Sequence, residues 1–368
     1  MTSKKKPLYL QIREYILRLI DGQTLKPGEQ IPTEAELMAH FQVSRVTITT
    51  AIKHLAQEGI VYRIAGKGTF VKAPGGAYPE LSGAGERIRR IGFIAPPISE
   101  PFTMQLIKHI EESCREEGLL LSIRTVLTQT EENDAIREMI GGGAEGLLIC
   151  PVDGESYSQR ILDLRTNRFP FVLVDKYLPG IPTNAIYSDH YQGGVLGTEF
   201  LVRSGHSRIG IVSSTKLTTS SSEDRFRGYL DAAKRLNVPI RPSYWLTGFD
   251  EQSYQEEAVE LELIAEWMQQ HPDLTAVFAF NAINAVSVGK VALSLGKRIP
   301  EQLSVLTFDN PGIRDFEGFF FTRIEQDFER IGREAVRLLL RSIKDPATSQ
   351  RLQVPVTLTI GKSAKGTD

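Results

Sequence analysis

Residues 33–48 read TEAELMAHFQVSRVTI, and this stretch decides the fold of the N-terminal part of the chain. Thr33 and Glu36 form a capping-box pattern, in which the threonine caps a helix and the glutamate reaches back to the start of that helix. The helix is short, and a tight turn at Gln42-Val43 separates it from Ser44, which caps a second, longer helix. Two capped helices joined by so short a turn predict a helix-turn-helix.

The second helix, which runs to about Glu58, has one apolar side and one outward side. The apolar side consists of Ile48, Ala51, Ile52 and Leu55, which recur at helical spacing and predict core contacts. The outward side chains are Arg45, Val46, Thr49, Thr50 and Lys53. In a helix-turn-helix the N-terminal residues of the second helix enter the major groove of DNA. We therefore expect this side to contact DNA.

An amphipathic helix precedes these two helices, and a hairpin follows them. Apolar residues at helical spacing predict the first helix over residues 8–20. Residues 60–63 and 68–71 predict two strands around a basic tip that contains Gly66 and Lys67. Residues 1–72 are therefore predicted to form a winged helix-turn-helix domain.

Charge is distributed unevenly along the 368 residues. Residues 1–72 carry a net charge of +5, whereas the remainder carries −7, which together give the overall charge of −2. A small basic domain joined to a larger acidic one indicates nucleic-acid contact at the basic domain. The two cysteines, Cys114 and Cys150, are too few for a disulfide framework or a zinc site, and we expect two buried thiols. No metal and no cofactor is predicted.

The rest of the chain divides into a linker and an α/β domain. Residues 73–90 are predicted to be a flexible linker, because glycine and proline interrupt any apolar periodicity. From residue 91 to 368, short apolar runs alternate with helical stretches, which predicts a parallel sheet of βαβ units. The predicted strands are residues 91–95, 119–126, 146–150, 171–174, 208–212, 276–280 and 303–308.

The N-terminal domain resembles the GntR family of bacterial regulators. The motifs that carry the resemblance are PLYLQI (7–12), LKPG (25–28), IPTE (31–34), VSRVTI (43–48) and GKGTFV (66–71). Members often have arginine where this chain has Ala35 and Thr49, so we expect the operator or the number of phosphate contacts to differ from the family norm.

The resemblance implies roles for particular residues. Arg45 would reach a base edge or a phosphate, Thr47 and the backbone near Ser44 would hold phosphates, and the wing tip would enter the adjacent minor groove. The complete set of predicted DNA-binding residues is Thr33, Ser44, Arg45, Val46, Thr47, Thr49, Thr50, Lys53, Gly66 and Lys67.

The C-terminal domain is similar to the ligand-binding domain of the LacI/GalR family over residues 91 to about 360. The matching stretches include IGFIAP (91–96), FVLVD (171–175), GHSRIGI (205–211), DRFRGY (224–229), LSVLTFD (303–309) and EQD (325–327). A GntR-type domain joined to a LacI-type domain resembles the arrangement of arabinose repressors. The resemblance implies an α/β fold of periplasmic-binding-protein type I, with two doubly wound lobes whose strand ends face a cleft.

The same resemblance implies an effector site for a small sugar such as L-arabinose in that cleft. Phe102 and Asp175 would come from the near lobe, and the far lobe would contribute Arg225, Asn281, Asp309 and Gln326. Several of these positions have structural alternatives: the two aspartates could cap helices, and Phe102 could belong to the core. Family members commonly have Asn-Asp where this chain has Asn281-Ala282, so the motif that assigns Asn281 to the effector site is matched only in part.

These observations predict a cytoplasmic, sequence-specific DNA-binding regulator, most simply a repressor of carbohydrate-utilisation genes. We expect a homodimer that reads a two-fold symmetric operator. Two alternatives are an enzyme with a GntR-type domain and a sugar-binding transport protein. No nucleophile elbow, P-loop or metal-ligand spacing supports an enzyme, and no apolar segment follows the basic start as a signal peptide requires. The effector, the operator and the direction of the response stay open.

Overall fold

The computed structural model describes residues 7–22, 24–64, 67–72, 89–152, 158–213, 217, 219–249, 257–311, 321–347 and 349–365. The chain divides into two units, Met1–Arg87 and Ile88–Asp368, which we call the head and the body. The predicted linker, residues 73–90, lies outside the described residues except for Arg89 and Arg90. No helix in the described ranges is long and apolar enough to cross a membrane.

The head is a winged helix-turn-helix, as predicted. Its described elements are α1 (Leu8–Asp21), α2 (Glu34–Phe41), α3 (Arg45–Gln57), β1 (Val61–Ile64) and β2 (Gly68–Val71). The two strands pair antiparallel to form the wing. The buried apolar residues of the head core are Ile12, Ile16, Ile31, Leu37, Ile48, Ala51, Ile52, Leu55, Val61 and Val71. The apolar side of α3 therefore faces the core, as its periodicity predicts.

The turn between α2 and α3 has the predicted position, with one difference at its end. The Thr33 hydroxyl accepts a hydrogen bond from the Glu36 backbone N–H (3.3 Å), and the Glu36 carboxylate accepts one from the Thr33 N–H (2.7 Å), which confirms the capping box. Gln42 adopts the left-handed conformation (φ 51°) that the tight turn requires. Ser44 stands at the N-cap of α3 but makes no side-chain capping bond, because its hydroxyl pairs with that of Thr47 (3.1 Å).

The body contains two six-stranded sheets. Its described strands are β3 (Arg90–Ala95), β4 (Leu120–Thr125), β5 (Gly146–Ile149), β6 (Phe171–Val174), β7 (Ala185–Ser188), β8 (Ile209–Ser213), β9 (Trp245–Thr247), β10 (Ala276–Ala279), β11 (Ser304–Phe308), β12 (Thr322–Gln326), β13 (Arg351–Val354) and β14 (Val356–Thr359). Its described α-helices are α4 (Pro101–Glu116), α5 (Gln129–Gly141), α6 (Gln159–Thr166), α7 (His190–Arg203), α8 (Ser220–Arg235), α9 (Glu257–Gln270), α10 (Ala282–Ser294) and α11 (Phe328–Lys344).

Each sheet is the centre of one doubly wound lobe. The near lobe has the all-parallel strand order β13-β7-β6-β5-β3-β4, and the far lobe has the order β14-β12-β11-β10-β8-β9, in which β14 alone runs antiparallel. In each sheet the strand that comes first in the chain lies between the second and the third, so the strand order reverses at this first strand (β3 in the near lobe and β8 in the far lobe). Ligands of such sheets bind at the carboxyl ends of the strands near this reversal.

The chain passes between the lobes at three places. The first crossing follows β7, the second follows β12, and the third lies between β13 and β14. All seven predicted strands are present within one or two residues of their predicted ends. The sequence patterns missed β7, β9, β12, β13 and β14, which are short and include polar residues.

Candidate DNA-binding surface and effector site

The outward side of α3 is exposed and carries one arginine held by a carboxylate. Arg45 donates from Nε to Glu34 of α2 (2.9 Å), and the same carboxylate accepts from Arg63 on β1 (3.0 Å). The Arg45 side chain is 74% exposed, and an exposed ion pair of this kind contributes only about 0–1 kcal/mol. A phosphate or a guanine edge can therefore replace Glu34 at little cost.

Two threonines of α3, Thr49 and Thr50, use their hydroxyl protons within the helix. Thr49 donates to the carbonyl of Arg45 (2.9 Å), and Thr50 donates to that of Val46 (2.8 Å). Both side chains therefore leave their methyl groups as the apolar part available to a neighbour. Val46 itself is 75% exposed, which is unusual for a large apolar side chain. Lys53, one turn further along, is exposed as well.

The wing is attached to the segment that precedes α2. Gln30 donates a hydrogen bond to the Lys67 carbonyl (3.2 Å) and forms a β-bridge with Phe70. Gly68 has a φ of 129°, and a Cβ there would lie 2.3 Å from Gln30 Nε2, so this position requires glycine. Lys67 is exposed at the tip, whereas the predicted contact residue Gly66 lies outside the described residues.

In the body, five of the six predicted effector residues stand at the carboxyl edges of the two sheets or on the helix beside them. Asp175 follows β6 of the near lobe, whereas Asn281 and Asp309 follow β10 and β11 of the far lobe. Gln326 is the last residue of β12, and Arg225 lies on α8. The lobe to which each belongs is the predicted one.

Arg225 is the centre of a buried cluster and is itself only 8% exposed. Its Nε donates to Nδ1 of His190 (3.3 Å), and its terminal nitrogen donates to the backbone carbonyl of Phe280. Its guanidinium carbon lies 4.1 Å from the centre of the Phe308 ring, within cation–π range. The guanidinium is therefore held in one orientation from three directions.

The two buried aspartates occupy different chemical environments. Asp309 accepts two hydrogen bonds from Gln326 Nε2 (3.0 and 2.8 Å), and Gln326 in turn accepts one from the Ser188 hydroxyl (2.5 Å). Asp175 Oδ1 lies 3.3 Å from His190 Nε2 and accepts no well-aligned hydrogen bond from the described residues. Both aspartates have positive φ angles (70° for Asp175 and 65° for Asp309), a conformation that clusters at functional sites.

These environments shift the two pKa values in opposite directions. Burial raises the pKa of Asp309 to about 7, although Arg225 and the Gln326 hydrogen bonds oppose the shift. Burial also acts to raise the pKa of Asp175, but His190, Arg225 and Lys176 outweigh it and lower that pKa below its ordinary value. At neutral pH the site therefore holds one ionised carboxylate and one carboxyl group close to its titration midpoint.

The two remaining predicted residues have other contacts. The side-chain oxygen of Asn281 accepts from the Asn284 backbone N–H (2.8 Å), so Asn281 caps α10. Phe102 lies in the first turn of α4 and packs edge-to-face on Phe328, with ring centres 5.6 Å apart. Neither Asp175 nor Asp309 caps a described helix.

The sequence patterns missed His190 and Ser188, which complete the cluster. Both are buried, at 1% and 0% exposure, and they flank the first crossing between the lobes. No periodic or motif signal marks them, because their partners lie far away in sequence. The described residues include no group of three or more His, Cys, Asp or Glu that could hold a metal ion.

Comparisons with known proteins agree with the geometry of both units. Residues 8–71 match the model of the bacterial regulatory proteins of the gntR family, and residues 198–364 match that of a periplasmic binding protein-like domain. The arabinose metabolism transcriptional repressor of Geobacillus stearothermophilus is 30% identical over 352 residues, which cover 94% of this chain and 93% of the relative. The chain belongs to the family of this repressor.

Further members and neighbours of this repressor family extend the comparison. The arabinose metabolism transcriptional repressor of Halalkalibacterium halodurans is 26% identical and covers 89% of this chain and 86% of the relative. A solved transcriptional regulator, the CelR–cellobiose complex, has a TM-score of 0.67 and 20% identity over 88% of this chain and 92% of its own. A ribose-bound LacI family regulator from Enterococcus faecium has a TM-score of 0.64 and 21% identity over 76% of this chain and 100% of its own. At these identities the two structures show the shared fold.

The predicted family and fold are therefore confirmed for both units. This member of the repressor family is a DNA-binding transcriptional regulator controlled by a small-molecule effector. The relatives named above are transcriptional repressors of arabinose metabolism.

Proposed function

We propose that this cytoplasmic repressor holds a two-fold symmetric operator in the absence of sugar and releases it when L-arabinose binds between the lobes of the body. The observation that carries the proposal is the buried cluster of Arg225, Asp309, Gln326 and Asp175 at the facing strand ends of the two lobes. The choice of L-arabinose is supported by the repressors of arabinose metabolism to which the chain is similar.

The chemistry of the cluster suits a neutral polyol. The Arg225 guanidinium would donate hydrogen bonds to the oxygens of neighbouring sugar hydroxyls. The carboxyl oxygens of Asp309 and Asp175 would accept hydrogen bonds that the sugar hydroxyls donate. The Phe308 ring supplies an apolar surface for the C–H face of a sugar, with Phe102 and Asn281 as further contacts from their own lobes.

Access to the site requires movement of the lobes. Asp175, Arg225, Asp309 and Gln326 are 4–8% exposed, so a ligand contacts them only when the lobes separate. Two arrangements of the lobes with different affinities for the sugar supply the bistable element that effector control requires.

On the DNA side, the predicted set of contacts divides by chemistry. Arg45 would contact a guanine edge or a phosphate, and Lys53 and Lys67 would contact phosphates. Ser44 and Thr47 would bind phosphate at the start of α3, and Thr33 and Gly66 complete the proposed set of DNA-binding residues. Val46, Thr49 and Thr50 would place methyl groups against thymine, which favours A·T pairs below this helix.

A two-fold symmetric operator requires two copies of the chain. The edge strand β4 of the near lobe exposes Leu120 (48%) and Ile123 (41%), and Leu127 (49%) and Met104 (48%) are exposed nearby in sequence on the same lobe. We place the homodimer contact on this apolar edge. Residues 73–90 would then connect residues 1–72 to the dimer of residues 91–368.

The test is a selection of operator sequences that uses the full chain. A random duplex library is bound to the immobilised protein, washed, and eluted in parallel with L-arabinose, D-ribose, cellobiose and buffer. We expect an enriched palindrome that L-arabinose elutes and buffer does not, and light scattering should show a dimer that Ile123→Glu converts to monomer. Failure to enrich any sequence would contradict DNA reading, and elution by a different sugar would contradict the assigned effector.

A further inference from the structure

His190 stands where the chain first leaves the near lobe. It is the first residue of α7, which follows β7 directly, and α7 packs against α8 and the far sheet. The side chain is 1% exposed. It contacts Asp175, which follows a strand of the near lobe, and Arg225, which lies on a helix of the far lobe. One imidazole therefore joins the two halves of the effector site.

The partners of the two ring nitrogens define the protonation of the imidazole. Nδ1 lies 3.3 Å from Arg225 Nε, which is only a donor, so Nδ1 must accept and carries no proton. Nε2 lies 3.2 Å from the Asp175 backbone oxygen and 3.3 Å from Oδ1, which are both acceptors, so Nε2 must donate. The geometry therefore places a proton on Nε2 and none on Nδ1.

The backbones of α7 and α8 fix the distance between His190 and Arg225. A Cβ on Gly194 would lie 2.1 Å from the Arg225 carbonyl oxygen, and one on Gly228 would lie 2.1 Å from the Tyr191 carbonyl oxygen. The two helices therefore touch at their backbones directly beside the imidazole and the guanidinium. Close backbone packing therefore holds near each other the two residues whose side chains form this hydrogen bond.

We propose that His190 is a positioning residue that transmits effector binding from Arg225 in the far lobe to Asp175 in the near lobe. This inference rests on the proposed function, because it takes Arg225 to be the sugar-binding cation. The two hydrogen bonds have separate roles. The hydrogen bond at Nδ1 orients the Arg225 guanidinium for sugar binding. The hydrogen bond at Nε2 couples sugar binding at Arg225 to the position of Asp175 in the near lobe.

Two amide variants separate these tasks. The asparagine amide of His190→Asn reaches the place of Nδ1 and can accept from Arg225, but it is too short to reach Asp175. The glutamine amide of His190→Gln reaches the place of Nε2 and can donate to Asp175, but it leaves Arg225 without this acceptor. His206→Gln is the matched control, since His206 also bonds through both nitrogens, to Thr275 and Ser304 (3.0 Å each), at the opposite edge of the far sheet.

The experiment titrates full-length protein with L-arabinose by calorimetry, and titrates its complex with the selected operator by fluorescence anisotropy. We expect His190→Asn to bind L-arabinose within about threefold of wild type but to release the operator poorly. His190→Gln should bind L-arabinose about tenfold more weakly, which is the usual effect of one lost charge-assisted hydrogen bond. The control should behave like wild type. Wild-type binding and release in both amide variants would overturn the inference.

A sugar-free measurement separates this inference from the identity of the effector. The chain has six histidines, so the ring nitrogens of ¹⁵N-histidine-labelled full-length protein give few NMR signals, and the spectrum of His190→Gln assigns the one from His190. We expect a proton on Nε2 only. A proton on Nδ1 would overturn the inference whichever sugar binds. Failure of wild-type protein to bind L-arabinose, with the proton on Nε2, would instead contradict only the proposed effector, and the titrations would be repeated with the sugar that elutes the operator.

Discussion

Replacement of Arg225 by alanine removes a buried guanidinium that contacts three groups at once. The variant loses the hydrogen bonds to His190 and to the Phe280 carbonyl, and it loses the contact with the Phe308 ring. It also removes the positive charge that opposes the raised pKa of Asp309. Loss of one partner from a buried charge cluster costs about 3–5 kcal/mol. For a unit of this size we expect the unfolding midpoint of the body to fall by roughly 6–15 °C.

Differential scanning calorimetry of the full chain measures this effect, with Arg235→Ala as the matched control. Arg235 lies on the same helix but pairs with Glu199 at the surface, where its side chain is 57% exposed, so its loss should shift the midpoint by no more than about 2 °C. L-arabinose should raise the midpoint of wild type and of the control, but not that of Arg225→Ala. A shift in Arg225→Ala no larger than that of the control would refute the buried cluster.

Three further predictions concern the body and the head. Because burial raises the pKa of Asp309 to about 7, the stability that its protonated form contributes is lost as the pH rises through 7. The stability advantage of Asp309→Asn over wild type should therefore grow by about 3 kcal/mol between pH 5 and pH 8 in urea titrations, and an advantage independent of pH would contradict this. Gly228→Ala should lower the unfolding midpoint and weaken the sugar response, because its Cβ meets a carbonyl oxygen of α7, whereas Gly141→Ala enters open space and should change neither. In the head, Arg45→Ala should weaken specific operator binding by about 1–3 kcal/mol, and Lys67→Ala should weaken binding to all sequences and reduce the salt slope by about one; equal losses on specific and random DNA in Arg45→Ala would speak against base contact.

The head could be predicted from sequence because local signals determine most of it. The capping box at Thr33 and Glu36 and the apolar spacing of α3 depend on neighbours within one or two helical turns. Ser44 shows the limit of such patterns. A serine at an N-cap position predicts a capping bond, but the nearby Thr47 hydroxyl competes for it, and the choice depends on side-chain geometry.

In the body, six of the seven predicted strands are buried on both faces, and their continuous apolar runs are visible in the sequence. The seventh, β4, is an exposed edge strand that still carries an apolar run. β12 reads TRIEQ and β7 reads AIYS, and neither shows such a run, so their place in a sheet depends on neighbouring strands. The effector residues at strand ends followed from resemblance. His190 could not be found in this way, because the crossing between the lobes brings it to Asp175 and Arg225, which lie 15 and 35 residues away in sequence.

The central claim is that a sugar bound at Arg225 controls the affinity of the head for operator DNA. The most direct measurement is the fluorescence anisotropy of a labelled selected operator, bound by the full chain and titrated with L-arabinose, for wild type and for Arg225→Ala. We expect L-arabinose to release the operator from wild type and to leave it bound to Arg225→Ala, with similar operator affinities before sugar is added. Release from Arg225→Ala at the same L-arabinose concentration as from wild type would contradict the account.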